Sequence, residues 1–201
     1  MMESDAAISL LATTRWEAIR PERTCHDELM QTPLIGALLP RRADIVDDCE
    51  AKFVELQYLD VPVQLPQDEG LALVAYTHDV NNVDGSKEGN VYFECNRMLR
   101  LRSIEQRAAM MRTWGAYVHY LLRGLGRLPN VVGDVFRGFP DKGIVEREYK
   151  RGRPVQWGAF TSTTTDFAAA KAFTDRAAGV IFKIAISSGR DINAYSFFPQ
   201  V

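Results

Sequence analysis

Val131-Val132-Gly133-Asp134-Val135-Phe136-Arg137-Gly138-Phe139 is the stretch on which the fold turns. The texture of the chain changes here, and the β-branched and aromatic content predicts a strand. Downstream, Asp141 to Arg153 reads as a charged connection and Trp157 to Thr163 as a second strand. Asp166 to Arg176 reads as a short alanine-rich helix capped by Thr165 or Asp166. Val180 to Ile186 (V-I-F-K-I-A-I) is a further strand, Ser187-Ser188-Gly189 turns the chain, and Asp191 to Phe198 is extended.

Upstream the pattern is helical. Leu101, Ile104, Ala108, Met111, Trp114, Val118 and Leu121 recur at helical spacing, which predicts one helix from about Met98 to Leu125. Gly124 and Gly126 end it and Pro129 prevents its return. Asp44 to Tyr58 carries Ile45, Cys49, Phe53 and Leu56 on one face. Ala6 to Ile19 forms a looser stripe that Ser4-Asp5 can cap. Leu71 to Tyr76 is a helix or a strand, and periodicity does not decide which. Helices first and strands second argue for an α+β fold. At 201 residues the chain has the length of one domain, with a mainly helical part over 1–128 and a β-rich part over 129–201.

Composition narrows the function. Apolar residues make up 46% and charged residues 25%, as in ordinary globular proteins, and the net charge is -2. No global basic field draws in nucleic acid, and no lysine run marks a membrane surface, so any anion-binding site must be local. Cys25, Cys49 and Cys95 are an odd, widely spaced set, which fits a reducing, cytoplasmic compartment better than a disulfide framework. Cys25-His26 alone does not make a zinc site, and no metal is expected. Asp79 to Asn90 lacks the ligand pattern of a calcium loop, Val83 standing where an oxygen is needed. No apolar run approaches the roughly eighteen residues of a membrane span, and Met1 to Trp16 does not read as a secretory signal.

Three features carry candidate chemistry. Arg137 sits inside an apolar strand with Gly138 directly after it, and a glycine there suggests close approach to the backbone. Its planar fork suits a diphosphate, although an edge-strand surface arginine would look the same. Phe160-Thr161-Ser162-Thr163-Thr164-Thr165-Asp166 holds five consecutive hydroxyl residues. Helix capping accounts for Thr164 to Asp166 and leaves Thr161 and Ser162 unexplained. Third, G-R-D-I-N-A-Y-S-F-F-P has too many aromatics for a frayed tail and is expected to pack.

In this order the three features resemble the arginine-specific mono-ADP-ribosyltransferase family, whose signature is R, then S-T-S, then E-x-E. L-A-L-V-A-Y-T (Leu71 to Thr77) and V-Y-F-E-C-N-R-M-L-R (Val91 to Arg100) are similar to its helical region. V-F-R-G-F and W-G-A-F-T-S-T-T-T-D resemble its first two catalytic strands, and I-F-K-I-A-I-S-S-G-R-D-I-N-A-Y-S-F-F-P the run into its third. The likeness covers roughly Leu71 to Pro199. It implies an ADP-ribosyltransferase fold, helices packed on a β core with an NAD cleft. The implied activity transfers ADP-ribose from NAD to a protein arginine and releases nicotinamide. It implies further that Arg137 grips the NAD diphosphate, that the Gly138 backbone bonds the nicotinamide carboxamide, and that Ser162 orders the nicotinamide ribose with Thr161 and Thr163 beside it. Phe173, or else Phe167, would stack on nicotinamide; core packing is the competing reading for Phe173, and Trp157 is expected in the core.

The family motif continues F-P-x-E-x-E, whereas these residues read Phe198-Pro199-Gln200-Val201, with Val201 where the first glutamate belongs. The expectation is a polypeptide truncated or altered at this point and impaired for transfer. A positioned charge commonly contributes about 2–4 kcal/mol to the transition state, so the loss would be two or more orders of magnitude. Glu146-Arg147-Glu148 is a local E-x-E whose simpler reading is a solvated face. Two other functions stand beside this one: absent carboxylates favour a pseudoenzyme that binds NAD or a protein through the same cleft, and a valine at the first acidic position followed by a glutamate two residues on would fit transfer to water or a different side chain.

Overall fold

The computed structural model describes residues 14–101, 103–174 and 179–198. Among the described residues six α-helices precede the first strand: α1 (Cys25–Gln31), α2 (Pro33–Leu38), α3 (Arg42–Leu56), α4 (Gln67–Thr77), α5 (Val91–Leu99) and α6 (Ile104–Arg127). β1 (Asn130–Phe139) follows, then α7 (Lys142–Glu148), α8 (Phe167–Ala172), β2 (Val180–Arg190) and a 3-10 turn at Asn193–Tyr195.

The ambiguous Leu71 to Tyr76 is the centre of the helical layer. Residues Glu69 to Tyr76 of α4 are all buried, and a helix apolar on every side gives no periodic signal. Against it packs α6, which buries Met110, Trp114, Tyr117, Val118 and Leu121. The Tyr117 hydroxyl donates to the Ala72 carbonyl at 2.9 Å, so this buried polar group is satisfied. Gly124 marks a close approach of the two helices. A Cβ there would lie 2.8 Å from the Glu69 carbonyl oxygen and 3.0 Å from a Leu73 methyl. Glu69, itself buried, receives Arg123 at 3.0 Å and also Arg127. Burial works to raise its pKa, and the two guanidinium groups outweigh it and hold the carboxyl below its usual value.

The single helix expected over Met98 to Leu125 is two. α5 ends at Leu99, and α6 starts afresh at a capping box in which the Ser103 hydroxyl accepts from Gln106 N while the Gln106 side chain accepts from Ser103 N. Most of the expected Ala6 to Ile19 helix lies outside the described residues; Trp16–Ala18 is a 3-10 turn. The Asp141 to Arg153 connection contains α7, whose N-terminus the Asp141 carboxylate caps through Ile144 N.

β1 and β2 form one antiparallel pair, with Arg137 opposite Phe182 and Val135 opposite Ile184. Ser187-Ser188-Gly189 does not turn the chain. Between Val131↔Gly189 and Gly133↔Ile186 the register advances two residues on β1 and three on β2. The extra residue is absorbed as a bulge, and Gly133 opposite it takes φ 143°, a value that suits glycine. The expected strand Trp157 to Thr163 is not a ladder strand; its neighbour Thr164 makes a two-way backbone bridge to Phe136. Asp191 to Phe198 is not extended throughout. Tyr195 is fully buried, its hydroxyl donating to the Val63 carbonyl at 2.7 Å and accepting from Leu65 N at 3.0 Å.

The α4–α6 contact yields a prediction of opposite signs two residues apart. Gly124→Ala should lower stability by about 1–3 kcal/mol, because the obstructing atom is a backbone carbonyl. Gly126 has nothing within 4 Å of an added Cβ, so Gly126→Ala should raise stability by about 0.5–1 kcal/mol. Urea unfolding of the two variants checks both signs.

Candidate active site

The serine segment runs between the hairpin and the helical layer, and three attachments hold it. Phe160 N donates to the Asn96 side-chain oxygen at 3.1 Å. The Ser162 carbonyl accepts from Arg137 Nη1 at 2.7 Å. Thr164 and Phe136 exchange backbone hydrogen bonds of 2.7 and 2.9 Å. Asp166 then caps α8 through Ala168 N at 2.7 Å, so capping does account for the end of the hydroxyl run.

Two adjoining cavities flank this segment, of about 390 and about 500 Å³. Tyr76, Phe160, Ser162, Thr163, Thr164 and Ile192 line both. The smaller is a polar cleft with Arg137, Gly138 and Phe173 on one side and Thr77, Asp79, Lys87, Tyr92, Asn96 and Arg100 on the other. Thr161 faces the larger cavity, whose walls include Leu73, Leu121, Leu125, Val135, Ile184 and Ile186. The structure thus gathers Arg137, Gly138, Ser162, Thr163 and Phe173 in one cleft and sets Thr161 in the adjoining space.

Phe173 is 57% exposed and lies at the cleft wall, not in the core. Phe167 instead packs edge-on against Phe136, ring centroids 5.4 Å apart. Trp157, expected in the core, is 36% exposed beside Arg137. The close approach that Gly138 suggested comes from the protein itself: a Cβ there would fall 2.1 Å from the Ala170 carbonyl oxygen and 3.0 Å from the Phe173 Cβ. Because Phe136 directs its peptide groups at Thr164, away from β2, strand alternation points those of Gly138 to the same open edge. Glu146 and Glu148 sit on exposed α7, beside Lys142 at 3.4 Å and Arg147 at 3.3 Å respectively, and neither lines the cleft.

Three cations, Lys87, Arg100 and Arg137, face a cleft in which Asp79 is the carboxylate among the described lining residues. Asp79 is committed to Lys87 at 2.8 Å. Burial alone would raise its pKa, but Lys87 and the Asn81 amide outweigh that and leave it below the usual value. Burial pulls the Arg137 guanidinium below its usual value, and the Arg100 charge adds to this. The cleft is therefore locally positive in a chain of net charge -2. Sequence reasoning missed Tyr92, Asn96 and Arg100 as one set. Their i, i+4, i+8 spacing, which places them on one helix face, was the available signal.

The three thiols are buried and free, and burial raises the pKa of each, which makes them inert rather than nucleophilic. Among the described residues no group of three or more His, Cys, Asp and Glu could hold a metal ion. No helix among them is long and apolar enough to cross a membrane.

A positive cleft between a helical layer and an arginine-bearing strand, with a serine-threonine segment across it, has the lining of a site for an anionic ligand. The chain belongs to the NAD:arginine ADP-ribosyltransferase family, whose model matches residues 12–201. It is 34% identical over 85 residues to Mav of Mycobacterium avium (strain 104), a protein assigned by name as an NAD(+)–arginine ADP-ribosyltransferase. That match covers 42% of this chain and spans only 10% of the relative's length. The fold is similar to the crystal structure of the eukaryotic mono-ADP-ribosyltransferase ART2.2, with a TM-score of 0.60 at 20% identity over 86% of this chain and 71% of that one.

Asp79 has a pKa held down in the folded state, so its pairing stabilises the protein above the unfolded carboxyl value and is lost as pH falls through the folded one. Asp79→Asn should cost up to about 1 kcal/mol at pH 7. The gap to the parent protein should begin to narrow below about pH 4, the ordinary carboxyl range, and close as the pH falls through the lower folded value. Unfolding free energies of the two proteins at pH 7 and pH 3 test this.

Proposed function

We propose that this cleft binds NAD and that the protein transfers ADP-ribose from it to the guanidinium of a protein arginine. One observation carries the reading. The Arg137 guanidinium is fixed by the Ser162 carbonyl at 2.7 Å, faces the cleft, and has no carboxylate partner among the described residues. Its remaining N–H groups are available as a planar fork for a diphosphate. Arg100, across the cleft, supplies a second charge for the same dianion.

The other assignments follow from position. The free peptide edge of Gly138 offers a donor and an acceptor, the pair a carboxamide needs. Phe173 presents an exposed ring beside it for the flat nicotinamide. Ser162 and Thr163, with Thr161 toward the adjoining cavity, line the path between the diphosphate grip and the nicotinamide end. Holding NAD at both ends spends remote binding energy on orienting the anomeric carbon. Cleavage of the nicotinamide–ribose bond builds oxocarbenium character, as in glycoside hydrolysis, and calls for a carboxylate against the ribose. Asp79 is tied to Lys87 and does not supply it; the E-x-E positions of the signature fall at Val201 and after it, outside the described residues. The residues described here are the binding half of the machinery.

The experiment is incubation of this chain with NAD and a small guanidino acceptor, with NAD affinity measured separately and nicotinamide and acceptor mass read in one tube. Arg137→Ala should weaken NAD binding about 10- to 100-fold, the range for losing hydrogen bonds to a charged group, at unchanged helical content. NAD binding without nicotinamide release would assign the chain a binding role only. Absence of NAD binding would overturn the site.

A further inference from the structure

Trp157 does not pack in the core, and its surroundings assign it another role. Arg137 and Phe182 are cross-strand partners, so their side chains leave the hairpin on one face. On that face the Arg137 guanidinium carbon lies 5.9 Å from the centroid of the Trp157 ring. The indole is held in turn from two sides. Its Nε1–H donates to the Tyr149 hydroxyl at 2.7 Å, and its ring meets Phe182 edge-on with centroids 6.0 Å apart. Tyr149 and Phe182 complete the cluster, their centroids 4.9 Å apart. Tyr149 is brought there by α7, the helix to which the cleft gives no other part.

We propose that Trp157 is a positioning residue: its ring face sets the conformation of Arg137 so that the guanidinium meets a diphosphate already oriented. This rests on the reading of Arg137 as the diphosphate grip. A carboxylate could orient an arginine equally well, but it would cancel the charge and compete with the ligand for the same N–H groups. An aromatic face attracts the cation through its quadrupole and leaves the in-plane donors free. One of those donors goes to the Ser162 carbonyl and the rest remain for the ligand. The cluster therefore does what an ion pair could not, holding a cation in place without neutralising it.

Volume and π character can be separated by two substitutions. The affinity of the chain for ADP-ribose, measured by calorimetry, would be compared for the parent protein, Trp157→Leu, Trp157→Phe and Arg137→Ala, with urea midpoints as a folding control. Trp157→Leu fills space without a π face and should weaken binding about tenfold, between the exposed and the desolvated range of a cation–π contact. Trp157→Phe keeps a face and should stay within about threefold of the parent. Equal losses in the Leu and Phe variants would make Trp157 a packing residue and overturn the proposal, as would no loss in either. If Arg137→Ala itself binds ADP-ribose like the parent, the diphosphate reading falls. Loss in Arg137→Ala with no loss in Trp157→Leu removes the positioning role alone.

Discussion

The side-chain amide of Asn96 is the joint on which the cleft depends. It is buried, its Nδ2 donates to the Tyr76 hydroxyl at 2.7 Å, and its Oδ1 accepts from Phe160 N at 3.1 Å. One residue thus ties α4, α5 and the serine segment together. The segment has no ladder of its own to hold it in place. Of its other attachments, the Ser162 carbonyl on Arg137 and the Thr164 bridge on Phe136 are on the hairpin side, and the packing of Ala159 and Phe160 on the helical core is apolar. A buried amide is costly unless both ends are satisfied, and here the two ends are satisfied by different layers. The relative placement of Ser162 and Arg100 follows from that.

Charge is distributed to the same end. On the helices the arginines near acidic residues are spoken for: Arg123 and Arg127 by Glu69, and Arg97 by Glu94 at 2.7 Å. Arg100, one turn beyond Arg97's neighbourhood at the end of α5, lines the cleft instead. Arg137 is oriented by a carbonyl and an aromatic ring. A nearly neutral protein can in this way keep two like charges facing one cavity. That arrangement is unfavourable in the empty cleft and favourable once a dianion lies between them.

Much of this was legible in the residues and some was not, for reasons that differ by element. The strand at Val131 to Phe139 and the cap at Asp166 were plain because the deciding signals are local. The break between α5 and α6 was hidden because the apolar spacing continues across it, while the Ser103–Gln106 capping box that marks it is a weaker pattern. Ser187-Ser188 reads as a turn, yet the cross-strand partners of β1 absorb the irregularity as a bulge. Trp157 looks like core by composition, and only the hairpin register, which sets Phe182 opposite Arg137, shows what it packs against. The cleft set on α5 was written in four-residue spacing, but without the tertiary contact to Phe160 nothing distinguished it from a solvated face.

The two walls of the cleft differ in how firmly they are built. The helical wall rests on a dense core from Cys25 to Leu128. The hairpin wall buries little: Val135 is the buried residue of β1, and none in β2 is buried. An isolated two-stranded sheet is marginal in water, so the hairpin owes its place to docking, through Ala170 of α8 against Gly138, through Thr164, and through the Tyr195 anchor just after β2. Arg137 stands on the weaker wall and Arg100 on the stronger. A ligand whose two phosphates engage both would bridge the walls, and by linkage its binding free energy would be shared between affinity and the ordering of the hairpin. In the proposed complex the strength of a diphosphate grip would be set as much by how well the hairpin is held before the ligand arrives as by the contacts themselves, and an aromatic cluster behind Arg137 would serve that end.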